Sequence, residues 1–217
     1  MENNYQYIDL DYKYTNKIGV LHNLANIEDE KILLAYESLK VSKRVEELFE
    51  NPIKIKDSNS LLIIHHYLFQ DVYEWAGKVR TVNISKNGKP FFDGERFYIA
   101  FQYLDTLIAE YRAIQKINKK ELAHKLAEIL DNVNYLHPFR EGNGRAQREF
   151  LRLLALEKDI KLNLNPPDNK SVYERYMNGT INSDVNTLTE LILEQIKSAE
   201  LYGRENKFGI WNKEDEE

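Results

Sequence analysis

Apolar side chains recur along most of this chain at three- and four-residue steps, the period of one helix face. Ile32, Tyr36 and Leu39, continued by Val41, Val45 and Leu48, predict a helix from about Glu28 to Glu50, ended by Asn51-Pro52. Asp57 or Ser58 can cap the next helix, whose stripe is Leu61, Ile64, Leu68, Val72 and Trp75 and which Gly77 closes. Phe97, Phe101, Leu104, Ile108 and Tyr111 mark a helix from Glu95 to about Ile114. Leu122, Leu126, Ile129 and Val133 mark another, and Pro138 disfavours helix at His137, so it should stop near Leu136. The stripe resumes with Phe150, Leu151 and Leu154, on a helix that begins close to Asn143. Asn165-Pro166-Pro167 breaks the chain, a short helix follows around Ser171 to Met177, and Leu188, Leu191, Ile192, Ile196 and Ala199 line a last one. The one strand signal is Val79 to Ile84, followed by the turn dipeptide Asn87-Gly88 and by Pro90-Phe91-Phe92. Tyr5, Tyr7, Tyr12 and Tyr14 show no period and read as an irregular arm, and a charged tail follows from about Gly203. The fold class is mainly α, a helical bundle with one β-hairpin: a single domain over residues 1–201 and a tail over 202–217.

The 217 residues are 42% hydrophobic, enough for one substantial core. There is no cysteine, hence no disulfide framework and no thiolate metal site. No apolar run approaches a membrane span, and the first residues lack the layout of a signal peptide, so a cytoplasmic chain is expected. A net charge of −5 argues against a broad nucleic-acid surface. His22, His65, His66 and His124 read as structural, since a zinc site needs three or four converging ligands.

Chemistry concentrates in His137-Pro138-Phe139-Arg140-Glu141-Gly142-Asn143-Gly144-Arg145-Ala146-Gln147-Arg148, at a loop-to-helix junction. A helix starting at Asn143 points unpaired N–H groups into the loop and favours phosphate there. Gly142 and Gly144 let backbone approach a ligand. Arg145 and Arg148, three apart, share one helix face and can hold two phosphates. Glu141 is a hard oxygen ligand of the kind Mg²⁺ combines with phosphate and water. His137 can take a proton from a hydroxyl near neutral pH. Together these parts describe transfer of a phosphorus-containing group from a nucleotide to an alcohol.

The stretch resembles the signature of Fic domains, His-x-Phe-x-Asp/Glu-Gly-Asn-Gly-Arg-x-x-Arg, at every defined position, and a looser resemblance runs from about Ile8 to Ala199. It implies a Fic-type bundle with a hairpin flap over the active site. It further implies transfer of AMP from ATP to a Tyr, Thr or Ser hydroxyl of a target protein, with release of pyrophosphate. In that reading His137 is the base and Glu141 holds Mg²⁺. Gly142, Asn143 and Gly144 form the anion hole, Arg145 and Arg148 hold the outer phosphates, and Phe139 anchors the loop. The target would register by main-chain pairing on the flap at Ile84, Ser85 and Lys86. The resemblance also implies a toxin-type protein, with a type II topoisomerase subunit as a possible target.

Many such proteins carry an inhibitory helix with Ser/Thr-x-x-x-Glu-Gly/Asn, whose glutamate pairs with the second motif arginine, here Arg148. Ser42-Lys43-Arg44-Val45-Glu46 matches the first five positions, but Glu47 follows; Glu205-Asn206 has the ending, with Leu201 where Ser or Thr should be. The expectation is a glutamate supplied by a separate small antitoxin, with Glu46 as the internal alternative. Two rival functions remain at this point: a phosphotransferase of the Fic/Doc type, and a nucleotide-binding regulatory module without catalysis.

Overall fold

The computed structural model describes residues 5–7, 12–86 and 88–197, so Ala199 and the tail expected at 202–217 lie outside the described residues. Its helices are α1 (Glu30–Glu50), α2 (Ser60–Phe69), α3 (Phe97–Ala113), α4 (Lys119–Leu136), α5 (Asn143–Leu156), α6 (Lys170–Asn182) and α7 (residues 185–197). The strands are β1 (Tyr5–Tyr7), β2 (Ile84–Lys86) and β3 (Lys89–Pro90). Helices neighbour one another in the order α1, α2, α5, α4, α3, with α6 against α4. That order makes α5 the middle of the bundle. Its Phe150, Leu151, Leu153 and Leu154 are buried against α2 and α4, so the loop before α5 is anchored in the core.

The junction at the end of α4 forms as the sequence dictates. Leu136 is the last helical residue, His137 takes a left-handed backbone (φ 43°), and Pro138 follows. Asp29 caps α1, its carboxylate accepting from the Ile32 N–H at 3.0 Å. The buried face of α1, however, is Leu33, Glu37, Val41 and Leu48, whereas Ile32 and Leu39 are 60% and 70% exposed. The expected stripe was rotated because a carboxylate, Glu37, occupies one of its inward positions.

Four further elements differ from expectation. Helix α2 stops at Phe69, and Val72, Tyr73 and Trp75 lie in tight turns that close at Gly77. Gly77 is needed there: φ is +79°, and a Cβ would lie 2.7 Å from that of His66. The strand starts at Ile84, not Val79, because the Arg80 N–H donates to the Pro138 carbonyl at 2.7 Å and is lost to any ladder. The N-terminal arm is not wholly irregular. Strand β1 pairs antiparallel with β2, Tyr5 opposite Lys86 and Tyr7 opposite Ile84, giving a sheet ordered β1-β2-β3. The short helix expected at Ser171–Met177 extends through Asn182, where Gly179 lets Leu188 of α7 pack closely; a Cβ there would come within 2.6 Å of it.

Candidate active site

One cavity of about 630 Å³ opens between β3, the His137–Gly142 loop, the first turn of α5 and helix α6. His137, Glu141, Gly142, Gly144, Arg145 and Arg148 all line it. The far wall is Tyr173, Tyr176, Met177 and Thr180, and Lys89, Pro90 and Phe91 border it on the flap side. A cavity of this size, half apolar wall and half convergent polar groups, suits a small ligand.

His137 is buried, and Phe91 stacks on its ring with centroids 3.8 Å apart. Its Nδ1–H donates to the Asn134 carbonyl at 3.2 Å, a bond that selects the tautomer and makes Nε2 the nitrogen able to accept a proton. The left-handed backbone at His137 is a strained conformation for a non-glycine residue, held by what surrounds it.

The two glycines do different work. Gly142 has φ +82° and lies on the Phe69 ring, where a Cβ would come within 2.3 Å, so core packing already requires glycine. Gly144 has only the Arg148 Nη1 near its missing Cβ, at 3.4 Å, and leaves backbone open to the cavity. Asn143 is buried and clips the loop: its Oδ1 accepts from Phe139 N–H at 2.9 Å and its Nδ2 donates to Phe139 O at 2.8 Å. Its side chain therefore holds the loop, while its backbone N–H belongs to the helix start.

Arg145 lies over the Phe69 ring and donates to buried Glu37 at 2.5 Å, with the Glu141 carboxylate 3.5 Å from its other amino group. The Tyr73 hydroxyl also donates to Glu37, and its pKa is raised by burial and by that carboxylate. Arg148 lies against the Tyr173 and Tyr176 rings and pairs with no carboxylate among the described residues. Glu46 is exposed and pairs with no cation among the described residues. Glu141 accepts from the Gly142 N–H at 2.8 Å and is about one-third exposed. Among the described residues no three His, Asp or Glu side chains form a group able to hold a metal ion by themselves. A lone cavity-facing carboxylate fits Mg²⁺, which takes most of its ligands from phosphate and water.

Of the flap residues, Ile84 is buried, and both sides of β2 are paired, one with β3 and the other with β1. Among the described residues no helix is long and apolar enough to cross a membrane.

Residues 56–155 match the Fic/DOC family. The probable protein adenylyltransferase y4lH of Sinorhizobium fredii is 32% identical over 183 residues, 81% of this chain and 88% of that protein. The chain belongs to the Fic/DOC family. The protein adenylyltransferase VbhT of Bartonella schoenbuchensis is 36% identical over 146 residues, 66% of this Fic chain but only 30% of VbhT. The crystal structure of the BepC effector of Bartonella tribocorum with bound AMPPNP superposes with a TM-score of 0.75 at 20% identity, covering 86% of this chain and 97% of that one. This likeness confirms the Fic fold, mainly helical with a hairpin.

Three residues that position the Fic loop escaped the motif. Glu37 holds Arg145 from α1. His65 of α2 is buried between Phe69 and Phe139; its Nε2–H donates to the Glu141 carbonyl at 3.0 Å and its Nδ1 accepts from the Gly77 N–H at 2.9 Å. Arg80 reaches the His137 carbonyl at 2.9 Å. The signal for Glu37 was a charged residue in register with Leu33 and Val41. The other histidines make ordinary bonds: His22 to Tyr12 O, His66 to Ala76 O, and His124 to Thr189.

Proposed function

We infer that this chain is a protein adenylyltransferase, moving AMP from ATP to a side-chain hydroxyl of another protein. The observation that carries the reading is that His137, Glu141, the start of α5 and both motif arginines line one and the same cavity. The triphosphate lies against the first turn of α5, whose N–H groups at Gly144 and its neighbours receive it. Arg145, steadied by Glu37, and Arg148 balance the outer phosphates. Glu141 holds Mg²⁺, which when bound neutralises charge on the phosphates. His137 Nε2 takes the proton from the incoming hydroxyl as its oxygen bonds to the α-phosphorus, and the bond to the leaving pyrophosphate breaks.

The target registers by strand addition at Ile84, Ser85 and Lys86, in place of β1. A carboxylate from a separate small protein, an antitoxin, pairs with Arg148; the exposure of Glu46, which pairs with no cation among the described residues, supports this over Glu46 as the internal inhibitor. The reaction belongs in the cytoplasm, where ATP is held. The resemblance makes a type II topoisomerase subunit the first target to examine.

The deciding experiment exposes a bacterial lysate to the protein with ATP labelled at the α or the γ phosphorus. Label from the α position should appear on protein, and His137→Ala should abolish it while leaving Mg-ATP affinity nearly unchanged. Label from the γ position would favour phosphotransfer, and no label at all a binding module. Persistence in His137→Ala would remove the assigned base.

A further inference from the structure

We propose that Arg80 is a positioning residue that locks the flap to the general base. Arg80 is 2% exposed, yet no carboxylate pairs with it among the described residues. Its donors go instead to three backbone carbonyls and one side-chain amide oxygen, with the charge of Asp93 acting from further off. Nε–H donates to His137 O at 2.9 Å, Nη1 to Val82 O at 2.8 Å and to Asn83 Oδ1 at 3.4 Å, and Nη2 to Phe92 O at 2.5 Å. The planar group also lies over the Phe97 ring. Three separate stretches of backbone thus meet at one guanidinium: the residue bearing the base, the chain leading into β2 and the chain leaving β3.

Those stretches carry the two things that adenylyl transfer must align. Phe91, next to Phe92, stacks on the His137 ring, and the Phe91 N–H donates to Ile84 O at 3.0 Å, tying it to the strand that would receive a target. Holding the Phe92 and His137 carbonyls on one rigid fork fixes the distance between that strand and the imidazole. A buried cation is costly unless its donors are satisfied, and here a neutral backbone satisfies them. Lysine cannot substitute: a single nitrogen does not span three carbonyls that a fork reaches at once. Arg80 does not line the cavity, so its effect is on alignment.

The alignment reading rests on adenylyl transfer, but two of its three readouts do not. Arg80→Met and Arg80→Lys are compared with the unaltered protein by hydrogen exchange of the 88–96 and 143–156 segments, by Mg-ATP affinity, and by transfer of α-labelled AMP into a bacterial lysate at saturating ATP. Flap exchange should rise by about tenfold or more with α5 unchanged, since loss of local hydrogen bonds opens local structure. Mg-ATP affinity should stay within about twofold while transfer falls by about tenfold or more, the pattern of lost positioning. Unaltered flap exchange in Arg80→Met overturns the proposal. If that variant exchanges throughout and so fails to fold, Arg80→Lys decides, and wild-type exchange and transfer in it overturn the proposal. No transfer by the unaltered protein would defeat the adenylyl-transfer reading alone, and the exchange and affinity results would still decide whether Arg80 locks the flap.

Discussion

The His65 imidazole lies flat on the ring of Phe139, centroids 3.7 Å apart, and donates to the carbonyl of Glu141 two residues further on. The loop bearing His137 and Glu141 is therefore held from below by a histidine that must stay neutral, because its Nδ1 accepts from Gly77. Burial pushes its pKa from 6.5 to about 3. The unfolded chain takes up a proton below 6.5 and the folded chain does not until about 3. Stability should thus fall with decreasing pH across that window, by about 1.4 kcal/mol per unit from this group. Urea unfolding of the protein and of His65→Gln over about pH 4 to 6 checks it: the variant should show the shallower dependence.

Gly142 and Gly144 should separate stability from binding. Gly142→Ala meets both a left-handed φ and the Phe69 ring, and should cost roughly 2–4 kcal/mol. Gly144→Ala meets only the mobile end of Arg148 and lies in a helix, so thermal stability should hold or rise by about 0.5–1 kcal/mol. Its added methyl stands toward the cavity, so Mg-ATP affinity should drop. Calorimetric melting and titration of each variant measure the two effects; a Gly144→Ala protein binding ATP normally would contradict the assigned phosphate site.

Glu37→Gln should release Arg145. Breaking a buried ion pair costs about 3–5 kcal/mol, and because Arg145 keeps some solvent contact a loss of about 2–3 kcal/mol is expected. A loosened Arg145 should also weaken ATP binding, which Glu46→Gln, altering an exposed carboxylate, should leave alone. Equal ATP affinities for both variants would detach Glu37 from the site.

Deleting residues 1–11 removes β1 and opens the outer side of β2. Target labelling in a lysate should rise by roughly two- to tenfold, because the receptive form no longer competes with an internal strand. Decreased labelling would mean that the arm helps to hold the target.

The junction was legible because its signals are covalent. Pro138 stops α4, Gly142 permits the turn, and the apolar step resuming at Phe150 starts α5. What holds the junction was not legible, since Glu37, His65 and Arg80 are 57 to 108 positions from the groups they grip and nothing local marks the pairing. The α2 stripe misled for a related reason. Val72 and Trp75 keep helical spacing, but tight turns place them inward as well. Val79–Asn83 has strand chemistry, yet a tertiary bond from Arg80 to Pro138 overrides its preference.

Strand β3 ends in Pro90, which has no N–H to offer a neighbour, and the opposite margin of the sheet is filled by Tyr5–Tyr7. Bare margins of small sheets attract copies of themselves and lead to aggregates. Here one margin is dulled by an imino acid, and the central strand β2 is paired on both sides. In this way the central strand is kept from fusing with its duplicates for as long as Tyr5–Tyr7 lie on it.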